Sequence, residues 1–185
     1  MKKVLVPLVI STMFLTGCTG NDSVTTPEPT PEPTPISSLS FSIDGYKADW
    51  QGLAFINDST GDSISNDTDI IGYSYSQDEN YLDIMLETQD PIIKNKATLD
   101  IGLTLQDAHG LKQRFELNVN SDGSVWGGDY PKIWNPLPSI LVAWKDVVEI
   151  QIPKKVFKDY KFLDIDFISL FTDVNGIWKN VDIIE

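Results

Sequence analysis

The chain has 185 residues, a formal net charge of −13 at pH 7, one cysteine and one histidine. That much negative charge argues against nucleic acid and anionic lipid as partners and is compatible with cations and with neutral ligands such as sugars, although a solvated acidic surface with no partner is the plainer reading. A lone cysteine excludes an internal disulfide, so stability has to come from packing, with or without a metal.

Lys2 and Lys3 open the chain, and residues 4–15 form an apolar run interrupted by Pro7, Ser11 and Thr12. The run is too short to span a bilayer stably and has the layout of a cleaved secretory signal. It ends in Leu15-Thr16-Gly17-Cys18, which resembles the lipobox of bacterial lipoproteins. The resemblance implies that residues 1–17 are removed and that Cys18 becomes the first residue, carrying two or three acyl chains, palmitate among them. Each buried methylene contributes roughly 0.8 kcal/mol, so several chains make a permanent tether. Thr19, where an aspartate often retains such proteins at the inner membrane, implies the outer membrane if the envelope is Gram-negative. The address expected is therefore the bacterial cell envelope, lipid-anchored and extracytoplasmic. The alternative is an ordinary signal with a chance cysteine.

Residues 18–35 read as the lipidated terminus and a linker, in which Pro27, Pro29, Pro31, Pro33 and Pro35 alternate with Thr and Glu. Such a run favours extended polyproline II, and eleven residues at about 3.1 Å each give a stalk of roughly 35 Å. After Cys18 there are 12 basic and 27 acidic residues, a net charge of −15.

Residues 36–185 are enough for one domain with a sizeable core. Period-two alternation predicts strands through Leu39, Phe41 and Ile43, over 81–88, and over 97–106, where Ala97, Leu99, Ile101, Leu103 and Leu105 face one way and Thr98, Asp100, Gly102, Thr104 and Gln106 the other. Phe115, Leu117 and Val119 follow a turn at 107–110, and further strands are predicted over 140–144, 147–152, 162–171 and 177–184. Turns are marked by Asp44-Gly45, Asp122-Gly123 and Asn175-Gly176. The only helical turn expected lies over 154–159, opened by Pro153. The fold class is all-β: a sandwich of two antiparallel sheets, immunoglobulin-like or jelly-roll-like.

Ile43-Asp44-Gly45 followed by Asp49-Trp50-Gln51-Gly52-Leu53, then Asp58-Ser59-Thr60-Gly61-Asp62, Asp69-Ile70-Ile71 and Tyr81-Leu82-Asp83-Ile84, and finally Val148-Glu149-Ile150-Gln151-Ile152-Pro153, resemble in order the phrases of carbohydrate-binding module family 9-like domains and their DOMON relatives. The resemblance covers 43–157. It implies a β-sandwich and sugar binding between tryptophans. Trp50 is expected to plug one end of the sandwich. Glu149 is expected either to cap backbone groups at a loop or to bind metal with a loop aspartate.

Two groups of residues are candidate sites. Asp58, Asp62, Asp67 and Asp69, with Asn66, supply the closely spaced oxygens that calcium takes. Asp58 and Asp62 have the spacing of positions one and five of an EF-hand loop, but Ser63 stands where that loop needs glycine, so a structural calcium in a sandwich loop is the metal reading. The alternative is a solvated turn held by Asp and Asn side chains. Trp126, Tyr130 and Trp134, with Asp129 and Asn135, lie in a glycine- and proline-rich stretch. Aromatic faces stack on the C–H faces of sugar rings, and carboxylates and amides bond their hydroxyls. The alternative is that these rings roof the core. Trp144 and Trp178 read as packing. His109 lies in a turn with no nucleophile phrase elsewhere, which leaves no triad. Haem would need His or Met on a suitable strand, and Met85 is the only methionine beyond the signal. The chain is thus expected to be a membrane-tethered, non-catalytic binding module for carbohydrate, with a structural or protein-interaction lipoprotein of the envelope as the alternative.

Overall fold

Two antiparallel sheets share one apolar interior in the computed structural model, which describes residues 41–92, 97–131, 134–174 and 177–184. The signal, Cys18, the stalk and the Asn175-Gly176 turn lie outside the described residues, as does the side chain of Trp178. The strands are β1 (Ile56–Asn57), β2 (Ile70–Gln77), β3 (Tyr81–Thr88), β4 (Ala97–Gln106), β5 (Lys112–Asn120), β6 (Val125–Asp129), β7 (Asn135–Pro136), β8 (Leu141–Trp144), β9 (Val148–Pro153), β10 (Lys161–Val174) and β11 (Ile177–Ile184). One sheet has the order β1-β2-β3-β9-β8 and the other β11-β10-β4-β5-β6-β7. The predicted sandwich is what forms.

Alternation supplies the core. Leu99, Ile101, Leu103 and Leu105 of β4 and Phe115, Leu117 and Val119 of β5 meet Leu82, Ile84 and Leu86 of β3 and Val148, Ile150 and Ile152 of β9. Side chains of opposite parity point outward from both sheets. The predicted turn at 107–110 joins β4 to β5, where Asp107 Oδ1 accepts the amides of His109 and Leu111. The helical turn after Pro153 is a 3-10 turn over Lys154–Phe157.

The first strand expected, through Phe41 and Ile43, does not form in the described residues. Residues 41–55 instead lie across the outer face of the five-stranded sheet. Phe41 stacks on Trp50 with ring centroids 4.4 Å apart, and Trp50 packs with Met85 and Val147. Trp50 therefore covers the outside of a sheet rather than plugging the end of the sandwich. The reason is Glu149, which is fully buried on the outward side of β9. One of its oxygens accepts the amides of Asp44 at 2.7 Å and Gly45 at 2.5 Å. The other accepts the Trp50 indole Nε1–H at 2.6 Å. A carboxylate only accepts, so it can be buried only where donors converge, and the turn at 44–50 brings three. Gly45 has φ +84°, and a Cβ there would lie 2.8 Å from Lys145 Cβ, so glycine is needed both for the turn and for the close approach.

Glu149→Gln keeps the shape but turns one oxygen into a donor that faces donors. It should cost about 2–4 kcal/mol of unfolding free energy in urea denaturation of the full chain, and a cost under about 0.5 kcal/mol would show the clamp to be dispensable.

Candidate functional site

Residues 41–55 cover the five-stranded sheet's outer face around Met85 and Glu149 and leave Tyr81, Gln151 and Leu141 open at its other end; the outer face of the six-stranded sheet is the broader open surface. Register places a row of side chains across five of its strands: Ser169 of β10, Asp100 of β4, Asn118 of β5, Trp126 of β6 and Pro136 of β7 are successive cross-strand partners. Asn118 Nδ2 donates to Asp100 Oδ1 at 2.6 Å. The next row holds Phe171, Thr98 and Asn120, with Thr98 Oγ1 donating to Asn120 Oδ1 at 2.9 Å. Thr98, Asp100, Asn118, Asn120 and Phe171 together line an open depression of about 360 Å³. Trp126, 43% exposed, stands on its β6 side.

On the other flank the row is Phe167, Gly102, Glu116 and Gly128. A Cβ on Gly102 would lie 2.3 Å from the Phe167 ring, so glycine lets that ring lie flat over β4. Beyond it, Arg114 is bracketed by the rings of Phe167 at 5.4 Å and Tyr130 at 5.9 Å and donates to Asp166 at 3.2 Å. Asp166 also accepts from Thr104. Burial pushes the carboxyl of Asp100 above its ordinary range, opposed by the Asn118 amide. Burial also raises Glu116, opposed by Arg114 and reinforced by Asp100.

The five residues grouped by sequence proximity do not form one site. Trp126 and Tyr130 share the outer face. Asp129 is the cross-strand partner of Phe115, a core residue, and so faces inward. Asn135 pairs with the inward Gly127. Asp129 and Asn135 line a separate cleft of about 260 Å³ with Phe157 and Lys158. Trp134 is 37% exposed and precedes β7. Period two is the reason: neighbours along β6 go to opposite faces. The proximity of Asp100, Asn118 and Phe171 is not legible along the chain, because no linear feature links β4, β5 and β10. The outward parity of Asp100 and Thr98 was nonetheless visible in the alternation of 97–106.

The acidic residues are also redistributed. Asp62 and Asp69 come together with Asp182 of β11, one carboxylate oxygen of each lying within 4.8 Å of the others. Asp67 is not in this group; its Oδ1 accepts from Ser65 Oγ at 2.5 Å around the 3-10 turn Asn66–Thr68. Asp58 has a buried Oδ2 with no hydrogen-bond partner. Burial raises the carboxyl of Asp182, the amides of Ile70 and Ile183 pull it back, and Asp62 and Asp58 add repulsion. His109 is exposed at its turn, and Met85 is buried against Trp50 and Val147.

No family model matches the chain. No curated protein and no solved structure matches it either.

A carboxyl raised in the folded state contributes stability below its unfolded pKa of about 3.9 and loses it as pH rises through the folded value. Asp100 is such a group, so its charge costs stability at pH 7. Asp100→Asn should raise the urea midpoint at pH 7, and the gain should shrink towards nothing as pH falls to about 4. A midpoint unchanged or lowered at pH 7 would contradict this electrostatic account.

Proposed function

We propose that the chain is a membrane-tethered, non-catalytic carbohydrate-binding module whose ligand surface is the outer face of the six-stranded sheet. The observation that carries this reading is the row Asp100–Asn118–Trp126: an exposed indole next to an amide and a carboxylate on an open β face. A pyranose ring presents an apolar C–H face to stack on an aromatic ring, and equatorial hydroxyls to bond carboxylates and amides in the same plane. Trp126 supplies the first, Asp100, Asn118 and Asn120 supply the second, and Phe171 offers a further apolar edge. Arg114, held between Tyr130 and Phe167, extends the polar surface along β5. A neutral glycan also escapes the repulsion that a chain of net charge −13 imposes on anions.

The tether rests on the lipobox-like Leu15-Thr16-Gly17-Cys18 and the proline-rich stalk, and the module reading on the phrases that resemble those of family 9-like domains. In this reading Cys18 carries the lipid, the protein stands outside the cytoplasm on the cell envelope, and residues 19–35 hold the sandwich off the membrane. The module binds and presents glycan.

Affinity electrophoresis of the full chain in gels containing xylan, mannan, mixed-linkage β-glucan or starch tests the reading. At least one polysaccharide should retard it, and Trp126→Ala should weaken that retardation by about 10-fold or more, the scale of losing a central aromatic contact. Asp129→Ala, on the opposite face of β6, should not. No retardation by any of the panel, or retardation indifferent to Trp126, would reject the proposal and favour a protein-interaction role.

A further inference from the structure

The acidic group at the joined edge of the two sheets carries an inference independent of the glycan reading. Asp69 immediately precedes β2 and is 1% exposed. Its Oδ2 accepts the Gly61 amide at 2.7 Å, but its Oδ1 is buried with no hydrogen-bond partner. Asp182, on β11 in the other sheet, reaches across the sandwich. Its Oδ2 accepts the Ile70 amide at 2.5 Å and its Oδ1 accepts the Ile183 amide at 2.8 Å. Asp62 comes in from the loop before β2, and the three carboxylates present oxygens within 4.8 Å of one another. The buried, unpartnered Asp58 Oδ2 belongs to the same loop, and Asp58 is near enough for its charge to be felt at Asp182.

Carboxylates are acceptors only, and a buried one without a donor carries an unrelieved desolvation penalty. Among the described residues, no Lys, Arg or His forms an ion pair with any of these four. What such a group lacks is a cation. An all-oxygen, carboxylate-rich set suits a hard ion rather than zinc, which favours nitrogen and sulfur. Calcium takes six to eight oxygens, mostly from the protein, whereas magnesium keeps several waters and uses one or two carboxylates, so a set of three carboxylates with a fourth beside it suits calcium. The three oxygens lie within 4.8 Å of one another, close enough to share one ion.

We propose that Asp62, Asp69 and Asp182, with Asp58 beside them, bind one calcium ion that ties the 58–69 loop and the start of β2 to β11. The ion would neutralise the repulsion among the carboxylates and satisfy Asp69 Oδ1. Backbone carbonyls or water would complete its shell. The set differs from a site read along the loop alone: Asp67 drops out, and a strand more than a hundred residues away supplies a ligand.

The test is calorimetric titration and thermal unfolding of the full chain after treatment with EDTA, with calcium chloride and with magnesium chloride. One calcium per chain should bind, and saturating calcium should raise the unfolding midpoint by about 5–10 °C, more than magnesium does. Asp182 and Asp69 hold backbone amides, so their variants could fail to fold for other reasons. Asp62→Asn is therefore the decisive variant. It should abolish calcium binding and the calcium-dependent rise while leaving the calcium-free midpoint unchanged or higher. Asp67→Asn should leave the calcium response intact. No calcium heat and no midpoint change up to about 10 mM, the weak end of known protein sites and beyond, would overturn the proposal. A calcium response that survives Asp62→Asn would overturn it too, and an equal response to magnesium would overturn the choice of ion.

Discussion

Glu149 lies near the start of β9 on the side facing away from the core, and nothing of it reaches solvent. Burying a carboxylate there is tolerable only because the amides of Asp44 and Gly45 and the indole of Trp50 converge on it. The bonds fasten a segment that would otherwise be an irregular leader onto the outer face of the five-stranded sheet. Once fastened, Trp50 shields Met85 and Val147, Lys47 pairs with Glu87 at 2.6 Å, and Ser74 donates to the Ala54 carbonyl at 2.9 Å. The part of the sheet face beneath this segment becomes interior.

The consequence for function is a matter of which face stays open. Both sheets need one covered side to form the core. The five-stranded sheet is then covered on part of its second side as well, around Met85 and Glu149, while Tyr81, Gln151 and Leu141 stay open at its other end. The six-stranded sheet has no such cover in the described residues. Its outward side chains form rows that cross β10, β4, β5 and β6, with polar groups in the middle and aromatic rings at Phe171, Phe167, Trp126 and Tyr130. The glycan reading uses that asymmetry: the ring-and-amide surface lies opposite the clamped face.

The architecture was largely legible in the sequence where period two runs unbroken. The strand at 97–106 is the clearest case, and its two faces went to core and surface as the alternation implied. β2 was harder. Ile70 and Tyr73 both point to the core although they are three residues apart, because the pairing with β3 slips between Ile70 and Gly72. A bulge of this kind breaks the alternation on which recognition depends. The start of the domain departs from its pattern for another reason: Leu39, Phe41 and Ile43 alternate like a strand, but what places Phe41 is stacking on Trp50. Sites were less legible than strands. Trp126 and Asp129 are near in sequence and on opposite faces in space, while Asp100, Asn118 and Trp126 are adjacent in space through cross-strand pairing. Asp182 could not be tied to Asp62 and Asp69 from sequence, since only closure of the sandwich brings β11 against the start of β2.

The central claim is that the open face of the six-stranded sheet meets glycan while the clamped face does not. Chemical-shift mapping of the full chain, titrated with soluble oligosaccharides of xylan, mannan, β-glucan and starch, tests it most directly. The account predicts that at least one of them shifts the Trp126 indole and the amides of Asp100 and Asn118 and leaves those of Tyr46, Lys47 and Gly45 in place. Shifts centred on residues 44–55, or none with any of the four, would contradict it.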